Sequence, residues 1–399
     1  MDHTLEFVRK RFCEYYSKND VFLPPRFGRR EYGFLFFNRD GMERHTGFSR
    51  ADVLKRFLSV NGPRHVYHSS AYYQRPGAGT MKEKGWMGAD LIFDIDADHL
   101  KGAEGLTYQQ MLARTKDEII RLSDDFLTGD MGFDMADVHF VFSGGRGYHI
   151  HVTDPRVLSL GSDERREIVD YITGTDLDFS TIFRERAVGG KLFMGHGKVH
   201  HGIDIPKRDA PGWRGRMRKG LDKLLSDLEA LPEELAIERL MTVKGLGEKG
   251  AKAMYKDLFK GEGGERGVDK MRDRDVFEVF SDDRHRRAFM ELAKGYVVAV
   301  AGETDAPVTK DINRLIRLPG SLHGKSSLRV VPLTRDALNG FEPLRDAIAF
   351  DDKPVKVTVA KPSRVEMGGK TFDVKEGEME LPLFAAMFLL CRGAASVPA

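Results

Sequence analysis

The sequence predicts an α+β fold in which strands from both sides of an inserted helical block build a shared core. Strand-like runs rich in aromatic and β-branched residues fill much of the first 160 residues. Helical spacing then dominates up to about residue 260, and strand-like runs return after it. We therefore expect a core, a mainly helical insertion and a C-terminal segment packed on the core, over residues 1–160 with 265–350, 161–264 and 351–399 respectively.

The first half of the chain begins with a helix and continues mainly with strands. Residues 4–17 place Leu5, Val8, Phe12 and Tyr15 on one stripe with helical spacing, and helical spacing returns over residues 107–128. Strands are predicted on both sides of the glycine turn in VHFVFSGGRGYHIHV. Further strands are predicted over residues 30–37, 65–73 and 88–100.

The second half is predicted to be mainly helical before strands resume. Residues 163–260 have helical spacing, apart from a Gly-, Lys- and Arg-rich interruption at residues 187–220. Strand-like patterns follow at residues 295–302 (GYVVAVAG) and 327–333 (SLRVVPL). The apolar run LPLFAAMFLLC is shorter than the ~20 residues of a membrane span, so we expect a buried helix there.

The composition is that of a globular protein from a reducing compartment. The 63 lysines and arginines nearly balance the 61 acidic residues, so a nucleic-acid signal must come from local clustering. The two cysteines, Cys13 and Cys391, lie at opposite ends of the chain, which excludes a disulfide framework and a Cys-rich zinc module. The N-terminus has no signal-peptide core, so we expect a cytoplasmic protein that does not act at a membrane.

The stretch GADLIFDIDADHL concentrates acidic residues in a pattern that predicts a metal site. As a strand it places Asp94, Asp96 and Asp98 on one face, and such clustered charges cost free energy unless a cation or open water compensates them. A calcium loop is excluded, because His99 and Gly105 stand where glycine and glutamate are required. A solvent-facing strand end is plausible for Asp98. The other two carboxylates follow an apolar run that looks buried, and they suit Mg²⁺ or Mn²⁺.

The segment SGGRGYHIHV provides groups that suit a triphosphate. Its three glycines let the backbone approach a ligand closely. Ser143, Arg146 and His149 add a hydroxyl, a planar fork of N–H donors and an imidazole. The alternative is a hairpin turn that carries a surface arginine and a half-buried histidine.

A third group of candidate residues lies in NRLIRLPGSLHGKSS, where Arg314, Arg317, His323 and Lys325 surround a Pro-Gly turn. Upstream, Asp305 in GETDAPV follows a strand-like segment. Taken singly, these residues would be an ordinary basic surface loop and a turn-forming aspartate. Combined with the acidic strand and the glycine turn, they predict a site for a metal ion and a triphosphate.

The order FDIDAD, SGGRGYH and TDAPV…RLIRLPGSLHGK resembles the small, catalytic subunit of the archaeal and eukaryotic DNA primases. The segments RREYGF, RHTGF, KGWMGADL and LPLFAAMFLLCRG also resemble that family's pattern, so the similarity covers most of the chain. The resemblance implies a catalytic primase core with two strand-containing layers, one of them similar to an RNA-recognition-type sheet, plus a helical insertion.

The resemblance also implies roles for individual residues. The paired metal-binding aspartates of the family match Asp94 and Asp96, and the third matches Asp305, so two Mg²⁺ or Mn²⁺ ions are expected. Asp98 lies outside the catalytic pattern. Nucleotide-binding positions of the family match Ser143, Arg146, His149, Arg317 and His323.

The activity implied by the resemblance is nucleotidyl transfer: template-directed synthesis of short RNA, or also DNA, primers on single-stranded DNA from nucleoside triphosphates. By analogy we expect a primase large subunit as the heterodimer partner and association with the replication machinery at cytoplasmic replication sites. Two alternatives stay open. One is a primase-like polymerase that extends existing ends in repair or lesion bypass, and the other is a non-catalytic module that binds nucleic acid or nucleotides.

One departure from the family's pattern concerns zinc. Archaeal members commonly carry a Cys/His zinc knuckle after the acidic strand, but KGAEGLTYQQMLARTKDEIIRL contains neither residue type. A structural zinc ion needs four such ligands, so we predict no zinc. The cluster of His196, His200 and His201 has no cysteine partner and is interpreted as an incidental surface group.

Two further segments are candidates for contact with DNA. Residues 242–254 (TVKGLGEKGAKAM) resemble a helix-hairpin-helix motif with Lys249 and Lys252 nearby, although a simple helix–helix connection is the favoured interpretation. Residues 207–220 (KRDAPGWRGRMRKG) hold six basic residues and a tryptophan in what we expect to be a flexible segment. That segment suits a template backbone or a partner protein.

Overall fold

The computed structural model describes residues 2–100, 105–188, 200–261, 265–275, 277–298 and 301–398. The described chain mixes helices with β-sheets, which confirms the predicted α+β class. It divides into two compact units, one formed by Met1–Val169 with Glu303–Ala399 and the other by Asp170–Gly302. The insertion is predicted over residues 161–264. The second compact unit begins later, at Asp170, and also ends later, at Gly302. The functional domains stay a prediction.

Helices occur in both units. The described helices are α1 (His3–Lys18), α2 (Ala51–Asn61), α3 (Met81–Lys84), α4 (Tyr108–Arg121), α5 (Ser162–Thr173), α6 (Phe179–Ile182), α7 (Gly212–Glu229), α8 (Glu233–Met241), α9 (Glu248–Phe259), α10 (Gly267–Asp273), α11 (Asp283–Val298), α12 (Ala306–Lys310), α13 (Arg335–Gly340), α14 (Pro343–Asp346) and α15 (Leu383–Cys391).

Most of the described strands belong to the first unit. They are β1 (Tyr32–Leu35), β2 (Glu43–Thr46), β3 (His65–Ser69), β4 (Ala71–Tyr73), β5 (Trp86–Ala89), β6 (Leu91–Asp96), β7 (Val138–Phe142), β8 (Gly147–Val152), β9 (Arg184–Val188), β10 (His200–Asp204), β11 (Leu315–Arg317), β12 (Val331–Leu333), β13 (Pro354–Val359), β14 (Ser363–Met367), β15 (Lys370–Val374), β16 (Gly377–Pro382) and β17 (Ala395–Ser396).

Two four-stranded antiparallel sheets lie in the first unit. One has the strand order β11-β3-β1-β2, and the other has the order β12-β7-β8-β6. One of the two edge strands of each sheet, β11 or β12, therefore comes from the part of the chain that follows the second unit. This arrangement confirms that strands on both sides of the inserted unit share sheets. The likeness of either sheet to an RNA-recognition-type sheet stays a prediction.

The helices at the two ends of the chain form where they were predicted, but Leu5, which was placed on the α1 stripe, is 36% exposed. In α1, Val8, Phe12 and Tyr15 are buried on one stripe, and the carboxylate of Asp2 accepts the Thr4 backbone N–H at 3.2 Å as an N-cap. Helix α15 is buried from Leu383 to Leu390, as expected for an apolar run inside a core. Among the described helices, none combines the length and the apolar character that a membrane span requires.

Four strand predictions need correction, three of them outside the acidic segment. The predicted strand 65–73 divides at Ser70 into β3 and β4, because the two halves pair with different partners. Residues 295–298 end the helix α11, whose buried Phe289, Ala293 and Val297 recur at helical spacing. Residues 299–300 lie outside the described residues. Of the predicted strand 327–333, only β12 is a strand.

The acidic strand is shorter than predicted. Strand β6 ends at Asp96, and Asp98 lies in the following 3₁₀ turn, Ala97–His99. The Asp98 backbone N–H donates to the Asp96 carboxylate at 3.3 Å, which stabilises the turn. The three carboxylates therefore do not share one strand face, and only Asp94 and Asp96 do.

The basic segment 207–220 is also more ordered than expected. Residues from Gly212 onward belong to α7, in which Arg216 and Arg218 are buried. Arg218 pairs with Asp222 at 3.1 Å and with Asp275, so its charge is compensated inside the second unit. Residues 242–254 form a glycine turn after α8 and the first part of α9, which agrees with the favoured helix–helix connection; the alternative of DNA contact is untested.

Candidate active site

A cavity of about 760 Å³ opens in the first unit, and most of the predicted site residues line it. Those on its wall are Asp94, Asp96, Ser143, Arg146, His149, Arg317 and His323. They come from β6, from the turn between β7 and β8, from β8, from β11 and from the loop after β11. The fold therefore gathers three segments that are far apart in the sequence.

The pairing of β6 with β8 positions the acidic side chains. In this antiparallel register Asp94 lies opposite His149 and Asp96 opposite Gly147, while Phe93 and Ile95 are buried on the other face. The Nε2 atom of His149 lies 3.3 Å from Oδ1 of Asp94. Burial, with His151 nearby, lowers the pKa of His149 well below its ordinary value, so the imidazole is neutral at pH 7. A neutral imidazole can donate this hydrogen bond and orient the carboxylate.

Asp305 approaches the acidic strand through its backbone. It precedes α12, and its N–H donates to the carbonyl oxygen of Asp94 at 2.9 Å. The Thr304 hydroxyl lies 3.4 Å from the same oxygen. Asp305 is thus anchored beside Asp94, although it is not among the residues that line the cavity.

The donor chemistry of these residues fits a hard divalent cation. Asp94 and Asp96 offer carboxylate oxygens to the cavity from one strand face, and such oxygens are the ligands that Mg²⁺ and Mn²⁺ favour. In the described part of the chain, no three His, Cys, Asp or Glu side chains stand close enough together to hold a metal ion. The complete ligand set therefore stays a prediction.

The turn between β7 and β8 needs glycine for steric reasons. Gly144 has a φ of +76°, and a Cβ there would lie 2.7 Å from the Cβ of His323. A Cβ at Gly147 would collide with the carbonyl oxygen of Ile95 in β6. The turn thus lies directly against both neighbouring segments. The Ser143 hydroxyl accepts the N–H of Gly145 at 3.2 Å.

The basic loop is fixed by buried contacts. The Arg317 guanidinium lies over the ring of Tyr67, 4.6 Å from its centre, and donates to Nδ1 of His65. Burial lowers the pKa of Arg317, and nearby Tyr67 and Asp94 oppose that shift. Burial and the charge of Arg317 lower the pKa of His323 well below its ordinary value.

Several residues on the cavity wall have no place in the sequence prediction. They are Arg64, Tyr67, Tyr108, Cys391 and Arg392. Asp98, which was left out of the predicted metal ligands, also lines the cavity, where it pairs with Arg146. Arg64 directly precedes β3 and Arg392 directly follows α15, and neither belongs to the motifs that identified the site. For Arg392 the available signal was its place in LPLFAAMFLLCRG, which resembles the family's pattern, and for Arg64 it was a basic residue just before a strand.

The charge of the wall favours an anionic ligand. Six side chains carry positive charge and three carry negative charge: Arg64, Arg146, Arg314, Arg317, Lys325 and Arg392 against Asp94, Asp96 and Asp98. A concave surface with this excess of positive charge attracts polyanions. The three carboxylates would repel the same ligand, so a cation has to lie between them and the anion. The arrangement suits a nucleoside triphosphate bound with divalent metal ions.

Comparison with known proteins places the chain in a family. The family model described as DNA primase small subunit matches residues 93–335, which include every predicted site residue. The chain belongs to the DNA primase small subunit family. This result confirms the resemblance that the three motifs indicated. The matched region ends before α15 and begins after β3, so Arg64 and Arg392 lie outside it.

Full-length relatives support the same membership. The protein named DNA primase small subunit PriS from Methanocella arvoryzae is 44% identical over 405 residues, which cover 99% of this chain and 98% of the relative. The protein of the same name from Methanothrix thermoacetophila is 43% identical, with 99% of each chain covered. That from Methanococcoides burtonii is also 43% identical, with 98% of each chain covered. The similarity therefore extends through both compact units.

Proposed function

We propose that the chain is the catalytic subunit of a DNA primase and synthesises short RNA or DNA primers on single-stranded DNA from nucleoside triphosphates. One observation carries the proposal. A single cavity brings the carboxylates of β6 together with the glycine turn and the basic loop. Membership of the small-subunit family supports the same activity.

The proposed metal ligands are Asp94, Asp96 and Asp305. They would hold two Mg²⁺ or Mn²⁺ ions. When bound, such ions lower the pKa of an attacking 3′-hydroxyl and neutralise the charge of the leaving pyrophosphate. His149 would hold the Asp94 carboxylate in one orientation through the contact at 3.3 Å, in addition to its expected role beside the nucleotide.

The proposed triphosphate ligands line the same cavity. Ser143 and Arg146 would donate to phosphate oxygens from the glycine turn, and Arg317 and His323 would do so from the basic loop. Because Arg317 is packed on Tyr67 and bonded to His65, its position is set before the nucleotide binds. Catalysis would then consist mainly of positioning and electrostatic stabilisation of developing phosphate charge.

A heterodimer with a primase large subunit is part of the proposal. The relatives carry the name small subunit, which implies a larger partner for those proteins. We propose that this chain likewise acts with a large subunit and with the replication machinery. Co-purification of the two chains expressed together would test the heterodimer directly.

The activity is tested by replacing Asp96 with Asn. We expect the Asp96→Asn variant to lose on the order of a thousandfold in nucleotide incorporation, because a catalytic carboxylate is replaced by an isosteric neutral group. The assay measures labelled ribonucleotides and deoxyribonucleotides incorporated on an unprimed single-stranded template, with Mg²⁺, with Mn²⁺ and without metal. The matched control is Asp373→Asn, an exposed aspartate on β15 that does not line the cavity.

Three outcomes distinguish the possibilities. Metal-dependent products that form on the bare template and disappear in Asp96→Asn would support the proposal. Extension of annealed primers without any new starts would instead favour the repair-type polymerase. Equal incorporation by Asp96→Asn and wild type would exclude Asp96 as a catalytic ligand.

A further inference from the structure

Arg392 borders the cavity and has no role in the function proposed above. It directly follows α15, in the part of the chain that the family model does not match. Its guanidinium lies over the rings of Phe388 and Tyr108, at 3.9 and 4.7 Å from their centres. Stacking on two rings restricts the plane of the guanidinium while leaving N–H groups at its edge.

Among the residues that the structure describes, no carboxylate forms an ion pair with Arg392. Its neighbour Arg146, in contrast, pairs with Asp98. Burial lowers the pKa of Arg392, Tyr108 opposes that shift, and Arg146, a second cation, adds to it. Two guanidinium groups that face one cavity repel each other, and an anion between them removes that repulsion. The local electrostatics thus favour an anion at this position.

Tyr108 connects Arg392 to the glycine turn. The Tyr108 ring lies under the Arg392 guanidinium, and its hydroxyl donates to the carbonyl oxygen of Gly145 at 2.5 Å. Burial raises the pKa of Tyr108 to about 12, so the hydroxyl keeps its proton at pH 7. Tyr108 therefore contacts both Arg392 and the turn that carries Ser143 and Arg146.

We propose that Arg392 binds the phosphate chain of the nucleotide and that Tyr108 positions the glycine turn against it. The C-terminal segment would then complete the triphosphate site, facing Arg146 across the bound phosphates. This inference rests on the proposed function, since it takes a nucleoside triphosphate as the ligand. A planar guanidinium held by stacking matches phosphate oxygens through paired N–H donors, and lysine lacks this geometry.

Binding of ATP and of inorganic tripolyphosphate to the full 399-residue chain, measured by calorimetry with Mg²⁺, tests the inference. We expect Arg392→Gln to weaken both affinities about tenfold or more, and Arg392→Lys to recover part of the loss. Arg392→Gln should also reduce the salt dependence of ATP affinity, because one cation contact is lost. The matched control, Arg364→Gln on β14, removes an exposed arginine outside the cavity and should leave both affinities unchanged.

Tyr108→Phe tests the connection to the glycine turn. It should weaken ATP binding by a smaller factor than Arg392→Gln and should have little further effect in the Arg392→Gln background. Independent, fully additive losses would overturn the coupling.

Failure of the inference and failure of the proposed function give different results. If the wild type binds neither ATP nor tripolyphosphate, the proposed function itself fails. If the wild type binds both and Arg392→Gln binds them equally well with the same salt dependence, only the assignment of Arg392 is overturned. A thermal unfolding midpoint close to that of the wild type establishes that Arg392→Gln is folded.

Discussion

The side chains of Arg30 and Asp90 form an ion pair that is almost completely shielded from water. Nη2 of Arg30 lies 2.6 Å from Oδ2 of Asp90, and each side chain is 1% exposed. The remaining Arg30 donors reach the carbonyl oxygens of Pro25 and Ser69, at 2.8 and 2.7 Å. The Tyr72 hydroxyl donates to the other oxygen of Asp90. Because the polar groups satisfy one another, the pair fixes the chain just before β6 without leaving a buried charge unpaired.

Replacing Asp90 with Asn is expected to lower the free energy of unfolding by about 3–5 kcal/mol, because Arg30 would stay buried without a counter-charge. Urea denaturation of the purified variant measures this change. The matched control is Asp52→Asn, whose exposed pair with Arg50 should contribute little. An Asp90→Asn variant as stable as the wild type would mean that water reaches Arg30.

Each predicted site residue lies in a short sequence motif whose residue types suggest a function. Asp94 and Asp96 alternate along a strand, and Ser143 and Arg146 belong to a glycine turn. Arg392 lies outside these motifs. Phe388 stands four residues before it in α15, but Tyr108 reaches it only through tertiary packing. Contacts between distant segments depend on how elements pack, and the sequence pattern of a single element does not contain that information.

At the scale of elements, the close approach of β6 and β8 depends on one missing side chain. Gly147 begins β8 and faces the Ile95 carbonyl oxygen at the end of β6. Any Cβ at this position has to move the backbone that carries Asp96. The glycine is therefore required by packing between strands, since the φ of Gly147 is not in the left-handed region.

We expect Gly147→Ala to lower the free energy of unfolding by about 1–3 kcal/mol through this steric conflict, and to reduce nucleotide incorporation by moving Asp96. Urea denaturation and the primer-synthesis assay measure the two effects. Gly79→Ala is the control, because a Cβ at Gly79 meets no atom within 4 Å. Equal stability of the two variants would contradict the steric explanation.

Helix α11 shows where element prediction from a local pattern fails. The run GYVVAVAG is rich in β-branched residues, which favour strands in isolation. Its described part instead continues a 16-residue helix, whose buried stripe packs against α7. Gly220 in α7 allows this approach, since a Cβ there would lie 3.3 Å from the backbone of Tyr296 and Val297. Burial along the whole helix therefore outweighs the local preference.

At the scale of the whole molecule, the sharing of sheets by segments on both sides of the insertion was predictable, but their register was not. The strand β11 pairs with β3, and this pairing brings Arg317 opposite Tyr67 and close to His65. Strand patterns in the sequence indicate which residues share a face, whereas the partner strand and its register follow from the packed core. The sequence could thus identify Arg317 without identifying the residues that hold it.

Buried histidines connect the two sheets of the first unit and make its stability sensitive to acid. His68 on β3 and His151 on β8 stack with ring centres 5.8 Å apart, and each has a buried Nε2 without a described hydrogen-bond partner. Burial, with Arg30 nearby, lowers the pKa of His68 well below its ordinary value. Burial lowers the pKa of His151 to about 4. Burial also lowers the pKa values of His65 and His323, near Arg317.

The unfolded chain therefore binds more protons than the folded chain below about pH 6.5, where free histidine titrates. Stability is fully present above that pH and is lost as the pH falls, by about 1.4 kcal/mol per pH unit for each such histidine. Urea denaturation between pH 7 and pH 5, before most carboxylates titrate, should show this slope. His68→Gln or His151→Gln should each lower the slope of the unfolding free energy with pH by the contribution of one proton, about 1.4 kcal/mol per pH unit. Replacement of the exposed His139 by Gln should leave the slope unchanged. A slope that is unchanged in both buried variants would mean that these rings accept protons in the folded state without separating the sheets.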